Sequence, residues 1–220
     1  MKALVALFLT ANMAAAQDSV WSEGPLTDDA FYNLVACAAP PGRDCTAPLV
    51  RWPGAEDLTV SLYQIEQGFP NDRKVALQKA LYAAMEQINA SHAALRLRFA
   101  PVGEMADITV HLLNINMGGE IDHTGLDPLD GTPLEAAIVQ LWWNGNLDLT
   151  RAAIVFPQDI EWGGLQPIVL EELTQSLGLG TDIDNPWYTS LSVFSETSNT
   201  VTTLGDQDMM ALRRHYPQTK

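Results

Sequence analysis

The stretch "IVLEELTQSLGLGTD", residues 168–182, predicts a buried helix that ends in a sharp turn. Gly178 suits the left-handed conformation that commonly ends a helix. Glu171 and Gln175 lie one helical turn apart, so their side chains point the same way, and Glu172 is rotated from Glu171 by about 100°. Apolar residues recur at helical spacing and would form the buried stripe of this helix: Val169, Leu170, Leu173 and Leu177.

Hydrophobic patterns on both sides of this helix predict the other elements. A long helix is expected over 71–90, with Asn71 as its N-cap, and a terminal helix over 204–217, with Asp206 as its N-cap. Strands separated by a long helix need a crossover connection. We therefore expect an α/β (α+β) fold: a mixed, mostly parallel twisted sheet with a long first helix, a short central helix and a C-terminal helix. Alternating or β-rich patterns predict the strands over 58–65, 95–99, 106–115, 136–143 and 151–156.

The first sixteen residues, "MKALVALFLTANMAAA", are typical of a Sec signal peptide. An early Lys2 precedes a short apolar run, and small residues lead up to an expected cleavage point after Ala16. No later segment has the eighteen or so apolar residues that a membrane helix needs. We expect one domain, residues 17–220, that is periplasmic or secreted and does not span a membrane.

Composition limits the partners. The 220-residue chain carries a net charge of -15 at pH 7. Such a surface repels nucleic acid and anionic lipid, so we expect neither as a partner. An acidic surface of this kind mainly keeps an exported protein in solution.

The chain has two cysteines, Cys37 and Cys45, within the N-terminal segment 17–50. A close pair around a Pro-Pro-Gly turn in an exported chain predicts a disulfide, since no partner cysteine or histidine cluster suggests a metal site. A loop this short stabilises by about 2.5 kcal/mol at most in the chain-entropy model. The disulfide should fix a local turn.

Several segments, taken in order, resemble a known protein family: "LVRWPGAEDLTVSL", "VALQKALYAAMEQINA", "FAPVGEMADITVHL", "SLSVFS" and "LGDQDMMALRRHY". The order and spacing are similar to those of the metzincin-type zinc proteases and, more closely, of an uncharacterised proteobacterial exported family known as domain of unknown function 2927. The resemblance implies a metzincin-like (zincin-like) fold over most of the chain.

The same resemblance assigns roles on the central helix. In these proteases two histidines at the first and fifth motif positions hold zinc, a glutamate at the second takes a proton from the bound water, and a third ligand follows a glycine. Glu172 and Gly178 stand at the glutamate and glycine positions, and Phe194 stands where the turn beneath the metal would have its methionine. The three ligand positions hold other residues: Glu171, Gln175 and Thr181, with Asp182 next in the chain.

These ligand positions do not suit zinc. Zinc sites draw on imidazole, thiolate and carboxylate groups. Gln175 offers a neutral carbonyl and Thr181 a hydroxyl, which suit calcium or magnesium better. We therefore expect no cofactor and no bound zinc, and no metal-dependent peptide hydrolysis by the usual route.

Other candidate groups are few. His92 and His215 are expected to be structural, with a cation favoured near the end of a helix, and His111 is expected to be an exposed strand residue. His123, in a loop with Glu120 and Asp122, is the best histidine to reach a substrate. No Gly-x-Ser-x-Gly motif supports a serine hydrolase.

Three functions remain. The first is a catalytically inactive metallopeptidase homologue, a pseudoprotease whose cleft binds a peptide or protein of the cell envelope. The alternative is a metal-dependent hydrolase, a peptidase with Glu172 as general base and nonstandard ligands. The third is an assembly or inhibitory module that uses the acidic surface, whose binding should depend strongly on salt.

Overall fold

The computed structural model describes the backbone of residues 12–16 and all of residues 19–218. Residues 1–11 of the predicted leader, residues 17 and 18 after the predicted cleavage point, and residues 219 and 220 lie outside the described residues. The α-helices are α1 Asp28–Cys37, α2 Asn71–Asn89, α3 Leu165–Gln175 and α4 Asp206–His215. The strands are β1 Asn12–Ala16, β2 Ser19–Trp21, β3 Leu58–Ile65, β4 Leu97–Phe99, β5 Ile108–Leu112, β6 Gly119–Glu120, β7 Pro133–Leu134, β8 Ile138–Trp143, β9 Leu149–Phe156 and β10 Asp182–Asp184.

The main sheet has six strands in the order β1-β8-β9-β5-β3-β4. Strands β4, β3, β5 and β9 run parallel to one another, and β8 runs antiparallel to β9. The predicted mixed, mostly parallel sheet is confirmed, and the predicted long, central and terminal helices are all present. Strand β8 therefore lies beyond the parallel strands, with β1 on its outer side.

Both faces of the main sheet are covered by other parts of the chain. Residues of α2 and α3 join the sheet in one large buried cluster, to which Val139 and Leu141 of β8 belong. The long connection before β8 covers the other face, where Ile138 and Trp142 lie in a second cluster. Successive residues of a strand point to opposite faces. The odd-numbered residues of β8 therefore point to the face that the helices cover, and the even-numbered residues point to the other face.

Helix α1 is an element that the sequence did not predict. The side chain of Thr27 caps it by accepting a hydrogen bond from the N–H of Ala30. The ring of Tyr32 lies 6.0 Å from that of His215, which joins α1 to α4. The sulfur atoms of Cys37 and Cys45 lie at disulfide distance and tie the end of α1 to the next loop, as predicted.

Two helix starts differ from the predicted caps. Asn71 and Asp206 are the first helical residues, and the N-caps are Pro70 and Gly205. In α4 the carboxylate of Asp208 accepts a hydrogen bond from the N–H of Gly205 at 2.8 Å. A carboxylate inside the first turn thus replaces the expected cap. Among the helices of the described chain, none is long and apolar enough to cross a bilayer.

Candidate functional site

Helix α3 is fixed at its carboxyl end by a tight turn. Gly178 has a φ of +94°, the left-handed conformation predicted for it. A Cβ atom at this position would lie 2.3 Å from the carbonyl oxygen of Val50. The indole Nε1 of Trp52 donates to the carbonyl of Ser176 at 2.9 Å. Both the backbone conformation and the close approach require glycine here.

A connected set of polar groups lies behind this turn, and we call it the histidine–tyrosine network. His215 Nε2 donates to the carbonyl of Val50 at 2.9 Å, and Nδ1 accepts from the hydroxyl of Tyr32 at 3.2 Å. A carbonyl only accepts, so Nε2 carries the proton of a neutral imidazole. Burial lowers the pKa of His215 to about 4. The ring of Tyr216 lies 5.0 Å from that of His215, and its hydroxyl accepts from the N–H of Trp52 at 3.2 Å. The network thus consists of Tyr32, Val50, Trp52, His215 and Tyr216.

Beyond the turn, the chain forms β10 and brings a distant loop alongside it. The N–H of Ile183 donates to the carbonyl of Phe194 at 2.6 Å, and the carbonyl of Ile183 accepts from the N–H of Glu196 at 3.2 Å. Phe194 is fully buried, with its ring 6.1 Å from that of Phe31. These bonds position Glu196 next to Asp182.

A cavity of about 250 Å³ opens beside α3, and we call it the acidic pocket. Helix α3, β10, the loop at Glu196 and the segment that leads into β8 each contribute to its wall. All of its ionisable lining residues are acidic, and Ala136 and Ala137 complete the wall beside β8. Its polar lining residues are Glu135, Glu171, Glu172, Gln175, Asp182, Glu196 and Asn199.

Two buried oxygen atoms of the pocket lack a hydrogen-bond partner. The amide Nε2 of Gln175 donates to Asp182 Oδ1 at 2.7 Å, which leaves Gln175 Oε1 unpartnered. Oε2 of Glu172 is unpartnered as well. Gln175 is 1% exposed and Glu172 4%. Most buried polar atoms in proteins are hydrogen-bonded, so these two oxygens indicate a place where a ligand or water supplies the donors.

The carboxyl groups of the pocket hold their protons more tightly than usual. Burial, followed by the nearby Asp182, raises the pKa of both Glu171 and Glu172 well above the ordinary value. Burial and the charge of Glu196 raise the pKa of Asp182 to about 7, against the opposing effect of the Gln175 hydrogen bond. Groups this close titrate together, so the pocket shares protons at neutral pH.

The structure brings together four of the candidate residues from the sequence, namely Glu171, Glu172, Gln175 and Asp182. Thr181 is buried and its N–H donates to the carbonyl of Val35 at 3.3 Å, but it does not line the pocket. The side chain of His123 is 94% exposed and pairs with Asp122, and it does not line the pocket either.

Glu135 and Glu196 line the pocket although sequence reasoning did not select them. Neither lies in a motif. Glu196 reaches Asp182 through the backbone bonds of Ile183, which no local pattern predicts. Glu135 stands just before β8, and a search of the residues that flank each predicted strand would have found it.

Two expectations about histidines were wrong. His111 is 1% exposed, and its ring nitrogens bond to Gln64 and Thr109. Its strand lies inside a sheet covered on both faces, so alternation does not separate buried from exposed residues. His215 is structural, but burial keeps it neutral, and a charge–dipole interaction with the helix end does not explain it.

The donors of the pocket do not fit a zinc ion, which prefers imidazole and thiolate. Carboxylate and amide oxygens are donors for hard cations such as calcium. In residues 19–218, no three His, Cys, Asp or Glu side chains lie close enough together to hold one metal ion.

The chain was compared with known proteins. No protein-family model matches it, and no curated protein resembles it significantly. The resemblance to metzincin-type proteases, and to the family of unknown function, stays a prediction from the sequence.

Proposed function

We propose that this protein is exported and binds an extended peptide along β8 without cleaving it. The observation that carries the proposal is the position of β1. Its backbone runs antiparallel to β8, in a register from Asn12 opposite Trp143 to Ala16 opposite Val139. The outer edge of β8 therefore accepts an added strand.

The identity of β1 suggests that a ligand takes its place. Residues 12–16 are the end of the predicted leader, and cleavage after Ala16 would remove them. The edge of β8 would then present unpaired backbone groups, and adding a strand to such an edge is a recurring mode of peptide recognition. Main-chain hydrogen bonds would supply affinity, and the acidic pocket beside Ala136 and Ala137 would supply specificity.

The chemistry of the pocket favours binding over hydrolysis. Peptide cleavage in zinc proteases depends on a metal-bound water, and neither Gln175 nor Thr181 suits zinc. Burial, followed by the charge of Asp182, raises the pKa of Glu172 well above its ordinary value. A carboxyl group that holds its proton more tightly is less available as a general base.

One observation favours the alternative hydrolase. Glu172 combines a raised pKa, deep burial and an unpartnered oxygen, and such perturbed groups cluster in active sites. A bound hard cation beside Glu172 would supply the activated water that the pocket otherwise lacks.

Peptide-binding measurements on two forms of the chain test the proposal. We expect the chain that begins at residue 17 to bind members of an extended-peptide library with micromolar dissociation constants. The chain that retains residues 12–16 should bind them at least tenfold more weakly, because β1 competes for the edge. Peptides should be recovered intact by mass spectrometry.

Cleavage products would contradict the proposal. If they disappear in Glu172→Gln and return when calcium or zinc is added to a chelated wild-type sample, the hydrolase is supported. Equal binding by the two forms of the chain would place the peptide elsewhere than the β8 edge.

A further inference from the structure

The acidic pocket has the charge of a site for a cation. Its five ionisable lining residues are all carboxylic acids, and no lysine or arginine lines it within the described chain. Burying carboxylates costs free energy unless a partner compensates their charge. Glu171 and Asp182 are each less than 10% exposed, so bulk water does little to screen them from each other. A cation that enters the pocket would relieve this repulsion.

The unpartnered atoms show what that cation must offer. Gln175 Oε1 and Glu172 Oε2 are both acceptors, and the amide nitrogen of Gln175 is already used in its bond to Asp182. The missing partners are therefore N–H or O–H donors. A ligand with several donors can serve both atoms together with the carboxyl groups around them.

Size and spread favour a side chain over a bare ion. The cavity of about 250 Å³ has room for about eight waters at roughly 30 Å³ each. Its oxygens come from separate elements, including Glu171 on α3, Asp182 on β10 and Glu196 on the following loop. An arginine guanidinium carries five donors in a planar fork on a long apolar stem, whereas an ammonium is a compact point charge.

The register along β8 indicates which residue of a bound peptide would carry such a side chain. A ligand strand in the position of β1 has one residue opposite Val139. If the same register continued for two more residues, the ligand would lie opposite Ala137, at the wall of the pocket. Cross-strand neighbours point to the same face, and Ala137 belongs to the cluster on the helix-covered face of the sheet. That ligand side chain therefore points toward α3.

We infer that the acidic pocket is the specificity subsite for a basic side chain, arginine in preference to lysine, carried by the bound peptide two residues beyond the one that faces Val139. This inference rests on the proposed peptide binding along β8. The pocket selects the ligand side chain by its positive charge and its number of hydrogen-bond donors, and the edge of β8 positions the ligand backbone.

A seven-residue probe tests the inference. The acetylated, amidated peptide Asn-Met-Ala-Ala-Ala-Ser-Arg repeats the sequence of β1 and adds arginine at the position predicted to enter the pocket. We expect the chain from residue 17 to bind it at least thirtyfold more tightly than the same peptide with citrulline, the neutral isostere. Lysine should fall between the two. Moving arginine to the sixth position should remove the gain, because that side chain points to the opposite face.

Matched variants connect the effect to the pocket. Glu171→Gln and Glu196→Gln should each weaken the arginine peptide about tenfold and leave the citrulline peptide unchanged. Asp122→Asn makes the same substitution type on an exposed loop residue that does not line the pocket, and it should change the affinity for neither peptide. Circular dichroism of each variant verifies the fold.

The outcomes separate the two proposals. If the arginine and citrulline peptides bind equally, the basic subsite is wrong and strand addition stands. If N-acetylarginine amide binds as tightly as the arginine peptide, and Glu171→Gln abolishes both, the subsite stands and strand addition falls. If no probe binds at millimolar concentration, both are overturned. Stoichiometric calcium or zinc that displaces the arginine probe would instead assign the pocket to a metal.

Discussion

The acidic pocket and the histidine–tyrosine network lie against the same helix, but they differ in how fully their buried polar atoms are hydrogen-bonded. In the network, the hydroxyl of Tyr216 donates to Leu177 and accepts from the N–H of Trp52. Both ring nitrogens of His215 are also bonded. In the pocket, oxygens of Glu172 and Gln175 remain without partners. Satisfied buried polar groups hold a structure, whereas unsatisfied ones lower stability and indicate a ligand.

The largest effect is expected where both regions depend on one turn. Gly178→Ala forces a Cβ against the carbonyl of Val50 in a left-handed conformation, and should lower the free energy of unfolding by about 4 kcal/mol. Urea denaturation measures it. Gly163→Ala, where an added Cβ meets nothing within 4 Å, is the control and should cost less than about 0.5 kcal/mol. Equal losses in the two variants would mean that the turn is not tightly packed.

The next effect separates the two regions by pH. The folded-state pKa of Asp182 is raised from 3.8 to about 7, so its stabilising contribution is fully present below pH 3.8 and is lost as the pH rises through 7. Each pKa unit corresponds to about 1.4 kcal/mol. Relative to Asp182→Asn, the wild type should lose about 3 kcal/mol of unfolding free energy between pH 5 and pH 8.

The network titrates with the opposite sign. The pKa of His215 is lowered from 6.5 to about 4, so its contribution is present above pH 6.5 and is lost as the pH falls through 4. The loss of unfolding free energy at acid pH should therefore change in His215→Gln. The loss at alkaline pH should change in Asp182→Asn. A pH-independent difference between wild type and Asp182→Asn would show that the pocket is solvated.

Removing one hydroxyl from the network has a smaller effect. Tyr216→Phe leaves the carbonyl of Leu177 and the N–H of Trp52 buried without a partner, and should cost about 2 kcal/mol in thermal or urea denaturation. Tyr82 is 47% exposed and its ring stacks on Phe99. Tyr82→Phe is thus the matched control and should be neutral. A neutral Tyr216→Phe would remove the distinction between the two regions.

The sequence predicted the parts of this molecule that depend on local pattern. Period-two spacing placed β3, and helical spacing placed α2 and α3, because each buries a regular set of side chains. Glu171, Glu172 and Gln175 were found for the same reason, since one helix holds them together. Helix α1 was missed because it has only ten residues and begins with two aspartates.

Long-range pairing lay beyond such reasoning. Glu196 reaches the pocket through backbone bonds to Ile183, and the burial of His111 depends on what covers the second face of the sheet. The unpartnered oxygens of the pocket, which carry the binding argument, depend on packing at the scale of single ångströms. No spacing rule contains that information.

The smallest effect is the sharpest test of the contrast. Glu172→Met replaces a buried acid that lacks a full set of partners by an apolar side chain of similar length, and should raise the free energy of unfolding at pH 7 by about 1 kcal/mol. Removing a polar atom would then stabilise the pocket, whereas Tyr216→Phe destabilises the network. The same variant should bind the arginine peptide more weakly, since it loses an acceptor. A destabilised Glu172→Met would mean that Glu172 is already fully bonded in the unliganded protein, and the two regions would then differ only in charge.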